Sequence, residues 1–379
     1  MKTKHFPLFI GLLTLAFGSH LQAQVDPNEL RDYYELDDVS PDEHEEETGE
    51  VGDLSSFPDL EKTAQDFILE TKRIRIPGYP DAFNPSLTRW RGQILLSFRI
   101  YHPFNRSTNQ IGLCWLDENL DITGEPTILE FFQNDFHSLM KRQDPRLITF
   151  GDRLFVVYNN QLKDIPRPEV RRMLYAEVQF DGEHFYVEKS EILLHFDGEN
   201  AMRPEKNWVP FDYQGSLLLG YSQIPHRILR PLPGTNTCET MDSTFASIKW
   251  NWGVPRGGTP ALIEGGEYLA FFHSSKNMAS VHSKGKTILH YFMGAYTFSL
   301  NPPFQITRIS PEPIVGKDFY HGASYKTWKP VQVVFPGGFI QDGQYIWIAY
   351  GRQDHEVWVV KLDRQRLLDS LVPVKTISE

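Results

Sequence analysis

The sequence predicts an all-β chain and, among all-β folds, a five-bladed β-propeller. Three observations lead there. One layout recurs five times, as NPSLTRWRGQILLSFR, DPRLITFGDRLFVVYN, VPFDYQGSLLLGYS, TPALIEGGEYLAFFH and FPGGFIQDGQYIWIAYG. In each, a residue before Pro leads into an apolar position, a Gly-containing turn follows, and a hydrophobic run ends in an aromatic. The turn glycines Gly92, Gly151, Gly215, Gly266 and Gly343 stand 59, 64, 51 and 77 residues apart, the uneven spacing of a repeat joined by loops of different length. Finally, 26 Pro and 27 Gly suit a turn-rich chain.

Each copy reads as a hairpin, because Gly permits the tight turn and the β-branched, Leu and aromatic run after it favours a buried strand. A lone hairpin cannot bury both faces. Five units of roughly four strands each account for the chain from about Ile74 to Leu362. A β-sandwich would not explain why Pro precedes the turn in every copy.

In chain order, residues 1–23 carry Lys2 and Lys4, the apolar stretch FPLFIGLLTLAF and the small-residue end Leu21-Gln22-Ala23. This is the pattern of a cleaved secretory signal peptide, too short for a membrane anchor. Residues 24–55 read as an acidic, disordered tail: twelve Asp or Glu stand against Arg31 alone between Val25 and Glu50. Residues 56–379 form the propeller. The protein is therefore expected to be secreted or periplasmic, with no membrane span. Nothing resembles a basic stripe, which excludes nucleic acid as a partner. Cys114 and Cys238 are too few for a disulfide framework and too far apart for a Cys-x-x-Cys zinc site, leaving two buried thiols or a single bridge.

The residues just after each terminal aromatic, Arg99, Asn159, Ser222, His273 and Gly351, fall at equivalent places, where a propeller can converge on a central funnel. Asp144 opens a repeat at the place where the others offer Asn84, Val209, Thr259 and Phe335, so the architecture does not itself demand a carboxylate there. With Arg146 beside it and Arg99, Lys206 and His273 at or near other repeat ends, the pattern suits an anion held next to an acid.

These motifs resemble the β-mannoside phosphorylases of glycoside hydrolase family 130. The likeness is carried by Phe83-Asn84-Pro85, Phe98-Arg99, Gln143-Asp144-Pro145-Arg146, Glu205-Lys206-Asn207-Trp208, Arg256-Gly257-Gly258-Thr259-Pro260, Phe272-His273, Val334-Phe335-Pro336 and Tyr350-Gly351-Arg352-Gln353-Asp354. It implies a carbohydrate-active enzyme in which Asp144 is the catalytic acid and inorganic phosphate, the co-substrate, attacks the anomeric carbon with inversion. By the same resemblance Arg99, Lys206 and His273 hold phosphate, while Asn84, Arg146, Asn207 and Asp354 hold the oligosaccharide or glycan. No cofactor or metal is implied. Two other readings stay open: an exported inverting hydrolase, in which Glu205 or Glu264 would serve as the second carboxylate, and a propeller that only binds glycans.

A protein lacking residues 24–54 is expected to unfold in one cooperative transition, like the full-length chain. Calorimetry of the two checks this, and loss of the single transition counts against a dispensable tail.

Overall fold

The computed structural model describes residues 53–102, 105–132, 141–162, 170–325 and 329–376. The expected signal peptide and nearly all of the acidic tail lie outside the described residues.

All five expected hairpins are present with two-residue turns, as the pairs Trp90↔Gln93, Phe150↔Arg153, Tyr213↔Ser216, Glu264↔Glu267 and Asp342↔Tyr345 show. Their glycines have φ values of 77°, 61°, 79°, 84° and 58°. That left-handed conformation is what tight hairpins need and what a side chain resists.

Along the chain, the first sheet orders Phe83–Trp90, Gln93–His102, Asn105–Leu116 and Thr127–Ile128. The second runs outward from Gln143–Phe150 through Arg153–Gln161 and Arg171–Phe180 to Phe185–Val187 and Glu130–Phe131. Val209–Tyr213, Ser216–Gln223, His226–Leu232 and Thr237–Thr244 make the third. Another is built on the long pair Glu267–Met278 and Ile288–Ser299. The last combines Val334–Asp342, Tyr345–Arg352 and Glu356–Asp363 with Ile68–Ile74, so a strand from the start of the domain becomes the outer strand of its final sheet.

Successive residues of each strand point to opposite neighbours, and both faces are buried. Leu95 joins a cluster with Leu154 and Val156 of the next sheet, whereas Ile94 and Leu96 pack with Trp347 and Val359 of the last. Val157 meets Leu219, Phe211 meets Tyr268, and Phe271 meets Phe339. Each sheet thus shares one apolar layer with the sheet on either side, which is why the strands read as continuous apolar runs instead of alternating ones. The arrangement is all-β and propeller-like. Four sheets open on an unbroken inner strand, and these give four regular blades against the five expected. In the sheet built on Glu267–Met278 the inner edge is split into Arg256–Gly257 and Leu262–Glu264 around Pro260.

Cys114 and Cys238 are free, buried thiols, which removes the disulfide alternative. Among the described residues, no helix is long and apolar enough to cross a membrane.

Two sheets share a packing device. Phe98 lies across from Gly112 and Phe272 across from Gly294, and each ring occupies the space that a Cβ on the glycine would need. Gly112→Ala and Gly294→Ala are each expected to destabilise the protein by about 1–3 kcal/mol through overpacking. Denaturant unfolding measures this, and a neutral result would show that the rings shift freely.

Candidate functional site

Three residues at or just before the start of the inner strands of the first three sheets are bent into an unusual conformation. Asn84, Asp144 and Asn207 have φ of 45°, 53° and 62°. In the first two sheets the bend coincides with a bulge that interrupts pairing between Phe83 and Ser86 and between Gln143 and Arg146. Such bends cost roughly 1–3 kcal/mol each and persist only where the surroundings enforce them. The side chains of Asn84 and Asp144 meet at 2.8 Å, and that of Asn207 meets Arg146 at 3.2 Å. Aligning the repeats on their prolines makes Val209 the counterpart of Asp144 in the third repeat. The backbone instead gives that place to Asn207, because the bend, not the proline, defines the position.

Asp144 is buried, and its two oxygens are held differently. Oδ1 accepts from Asn84 Nδ2 at 2.8 Å and from Arg99 Nη1 at 3.3 Å. Oδ2 accepts from Asn159 Nδ2 at 3.3 Å. Burial alone would raise the pKa of this carboxyl, but the charges of Arg99, Arg146 and Lys206 and the Asn84 amide outweigh it and hold the group below its ordinary value. Arg99 is itself aimed by Asn109, whose Oδ1 accepts from Nε at 2.8 Å, and its guanidinium lies over the Phe83 ring.

Arg146 is fully buried. Its guanidinium donates to the carbonyls of Asp144 at 3.0 Å, Gly258 at 2.5 Å and Gly257 at 3.3 Å, and to Asn207 Oδ1 at 3.2 Å. Burial draws its pKa down to about 10, so it remains charged near neutrality. The resemblance made Arg146 a sugar contact. Its donors face protein acceptors, and it acts as a brace beneath Asp144. A Cβ at Gly257 would strike the Asn207 carbonyl, and one at Gly258 would come within 2.6 Å of the Phe271 carbonyl, so the Gly-Gly pair is what lets the sheets approach Arg146.

His273 is buried between the Tyr291 and Phe335 rings, at 5.8 Å and 4.6 Å between centroids. Burial, then Arg256 and Arg146, push its pKa well below the usual histidine value, so it is neutral. Asp144 acts on it electrostatically, as Lys206 acts on Asp144, and of the three expected anion-binding residues Arg99 contacts the carboxylate directly, at 3.3 Å. Asp354 occupies the turn after Tyr345–Arg352 with φ of 51°, three residues beyond Gly351, whose missing side chain leaves room for Asn84.

Of the two carboxylates considered as a hydrolytic base, Glu264 is turned to Gln341 at 2.7 Å and Arg364 at 3.6 Å, in the outer hairpin turn. Glu205 is buried beside Arg203 at 3.4 Å and accepts from Trp208 Nε1 at 3.2 Å. Burial raises its pKa to about 7, against the pull of Arg203, the Trp208 N–H and Arg172. His226 is a core residue, its Nδ1 2.6 Å from the Phe304 carbonyl. Sequence reasoning assigned no role to Asn159 or Arg171. Asn159 stood at a repeat end, which was the available signal; Arg171 Nη1 donates to its Oδ1 at 3.3 Å and thereby orients its amide toward Asp144.

The chain matches no protein-family model and no curated protein sequence. Solved structures do share its fold. A structure from the GH130 family of mannoside phosphorylases, which contains glycoside hydrolases that target β-1,2-mannosidic linkages in Candida mannan, is 14% identical, with a TM-score of 0.54 over 76% of this chain and 85% of the other. β-1,2-Mannobiose phosphorylase from Listeria innocua is 15% identical, with a TM-score of 0.52 over 81% and 94%. A mannose phosphorylase from Leishmania mexicana, in complex with phosphate, is 12% identical, with a TM-score of 0.53 over 82% and 92%.

The raised pKa of Glu205 makes a pH prediction. Ionisation is harder in the folded protein than in the unfolded chain, so stability falls as pH rises from about 4.5 to about 7 and the penalty is complete above that. Glu205→Gln removes the penalty. Its stability advantage over the natural protein is expected to grow across this window to on the order of 2–3 kcal/mol. Urea unfolding at several pH values tests it, and a gap independent of pH would refute it.

Proposed function

We propose that this protein is an exported carbohydrate-active enzyme that cleaves β-mannosidic or similar glycosidic bonds by inverting phosphorolysis. The observation that carries the reading is Asp144, a buried carboxylate on which the charges of Arg99, Arg146 and Lys206 act from separate segments of the chain. Phosphorolysis needs only one protein carboxylate, because phosphate is the nucleophile. The fold shared with mannoside phosphorylases supports the same chemistry. In this reading the sheet with the split inner edge is the fifth blade, supported by its hairpin at Gly265-Gly266 and by apolar layers shared with both neighbours. Export rests on the leader-like residues 1–23.

Asp144 gives its proton to the glycosidic oxygen as the C1–O bond breaks, and phosphate forms the new C1–O bond from the opposite face. The products are a free sugar hydroxyl and a sugar 1-phosphate of inverted configuration. Arg99 and Lys206 supply charge for the phosphate, with neutral His273 as a hydrogen-bonding partner. Asn84, Asn207 and Asp354 are the sugar-side groups. Without phosphate the surrounding cations keep Asp144 ionised; the charge of bound phosphate offsets them and lets the carboxyl take up the proton it delivers.

A second reading, inverting hydrolysis, is favoured by one observation: Glu205 is a buried carboxylate of raised pKa next to Lys206. A water-activating base would stand roughly 6.5–9.5 Å from the acid.

Incubating the purified protein with β-mannosides, with and without phosphate, separates these readings. Phosphate-dependent release of mannose 1-phosphate is expected, and Asp144→Asn should lower turnover by a factor of at least roughly 10² while keeping the fold. Free mannose without phosphate would establish hydrolysis, and near-normal activity in Asp144→Asn would overturn the role of Asp144. No product from any mannoside would favour a propeller that only binds glycans.

A further inference from the structure

A second cluster of chemistry-bearing side chains lies away from Asp144, where the first turn of the domain meets two late loops. Asp59 caps a short 3-10 helix, Leu60–Thr63, and the next residue but one, Glu61, reaches the loop at 318–321. Glu61 Oε2 lies 2.8 Å from His321 Nδ1. The His282 ring approaches the His321 ring edge-on, with centroids 4.6 Å apart and planes at 85°. One ligand atom from each of Glu61, His282 and His321 lies within 4.8 Å of the others. Asp59 Oδ1 stands 3.2 Å from His282 Nε2, on the flank of the cluster, and the Leu60 N–H approaches the same nitrogen at 3.2 Å.

We propose that Glu61, His282 and His321 form a binding site for a zinc-like divalent transition-metal ion, supported by Asp59. Two imidazoles and one carboxylate are a donor set that zinc accepts, usually with water in the fourth place. Calcium and magnesium take six or more oxygens and are a poor match. Zinc bonds of about 2.0–2.2 Å bring ligand atoms to roughly 3.3 Å from one another. Separations of up to 4.8 Å therefore close by up to roughly 1.5 Å on binding while the 2.8 Å contact between Glu61 and His321 opens slightly, and His321, whose side chain is 57% exposed, is on the side that can make that movement. His282 is anchored: its side chain is 1% exposed and its carbonyl accepts from Gln332 Nε2 at 2.9 Å.

Hydrogen bonding alone accounts for Glu61, which accepts from the backbone N–H groups of Asp318, Tyr320 and His321 at 3.1, 2.7 and 2.9 Å. The second imidazole, His282, is held at Nε2 by the Leu60 N–H and Asp59 and lies edge-on against His321, within reach of the same carboxylate. A bound ion would fasten residues 59–61 to loops more than 200 positions away in the chain. It would also hold Tyr320, whose hydroxyl donates to the Tyr291 carbonyl at 2.8 Å, next to the wall of the Asp144 site where Tyr291 stacks on His273.

The test uses the untagged full chain, stripped with a chelator and titrated with zinc chloride by calorimetry and by thermal unfolding. One equivalent is expected to bind, with a rise in melting temperature of about 3 °C or more at a large excess over Kd, reversed by chelator. His321→Ala, on the exposed side, should fold normally and lose this rise, and His282→Ala should lose it as well. An equal rise in His321→Ala, an equal response to calcium, or no binding by the natural chain would each overturn the site.

Discussion

A buried guanidinium sits where the inner strands meet. Arg146 projects from the second sheet and donates to Asn207 at the entrance of the third and to the carbonyls of Gly257 and Gly258 in the sheet that follows, while also holding the Asp144 carbonyl. Three sheets are thus tied by one side chain with no access to water. A charge left in such a place without its partners costs about 3–5 kcal/mol, so the surrounding geometry is tightly constrained. The Gly-Gly pair permits the close approach, and the bend at Asn207 delivers its oxygen. The bend at Asp144 gives its side chain to Asn84, Arg99 and Asn159 while its carbonyl accepts from Arg146.

That division of labour explains the electrostatics of the site. Arg146 is engaged from beneath, and Arg99 approaches the same carboxylate from the first sheet, steadied by Asn109 and by the Phe83 ring. The Asp144 oxygens are therefore unequal, one shared by an amide and a cation and the other held by an amide alone. The positive charges of Arg99, Arg146 and Lys206 together outweigh the burial of this one carboxylate. The neutral state of His273 fits the same logic, since burial and two arginines already oppose a further positive charge there.

The periphery works by different means. Apolar layers between neighbouring sheets carry the bulk of the burial, and the strand Ile68–Ile74 joins the beginning of the domain to its final sheet. The cluster of Glu61, His282 and His321 begins just before this strand in the chain and pins the same end region to the loops at 282 and 321. Both features act on the junction where the two ends of the ring meet, the place at which a circular arrangement of sheets has no covalent continuity.

Local pieces were legible in the residue pattern alone. A Gly in a two-residue turn between apolar runs has few alternatives to a hairpin, so the turns at Gly92, Gly151, Gly215, Gly266 and Gly343 could be read directly, as could the places of Asn84 and Asp144 at repeat starts and of Arg99 at a repeat end. What those ends do emerged only on assembly. Arg146 looks like a ligand-facing residue in sequence because an arginine beside an acid suggests one; the positions of Gly257, Gly258 and Asn207 make it a brace. Asn159 and Arg171 are ordinary strand residues until Asp144 is brought against them. Pro led the repeat alignment to Val209, whereas the backbone bend selected Asn207, because φ is set by packing at the centre and not by the residue pattern. The broken inner edge around Pro260 was likewise invisible, since strand pairing there depends on how close the Gly-Gly segment comes to its neighbours. Short-range preferences fix turns and strands, but a charge network among residues 60 to 112 positions apart is settled only when the sheets meet.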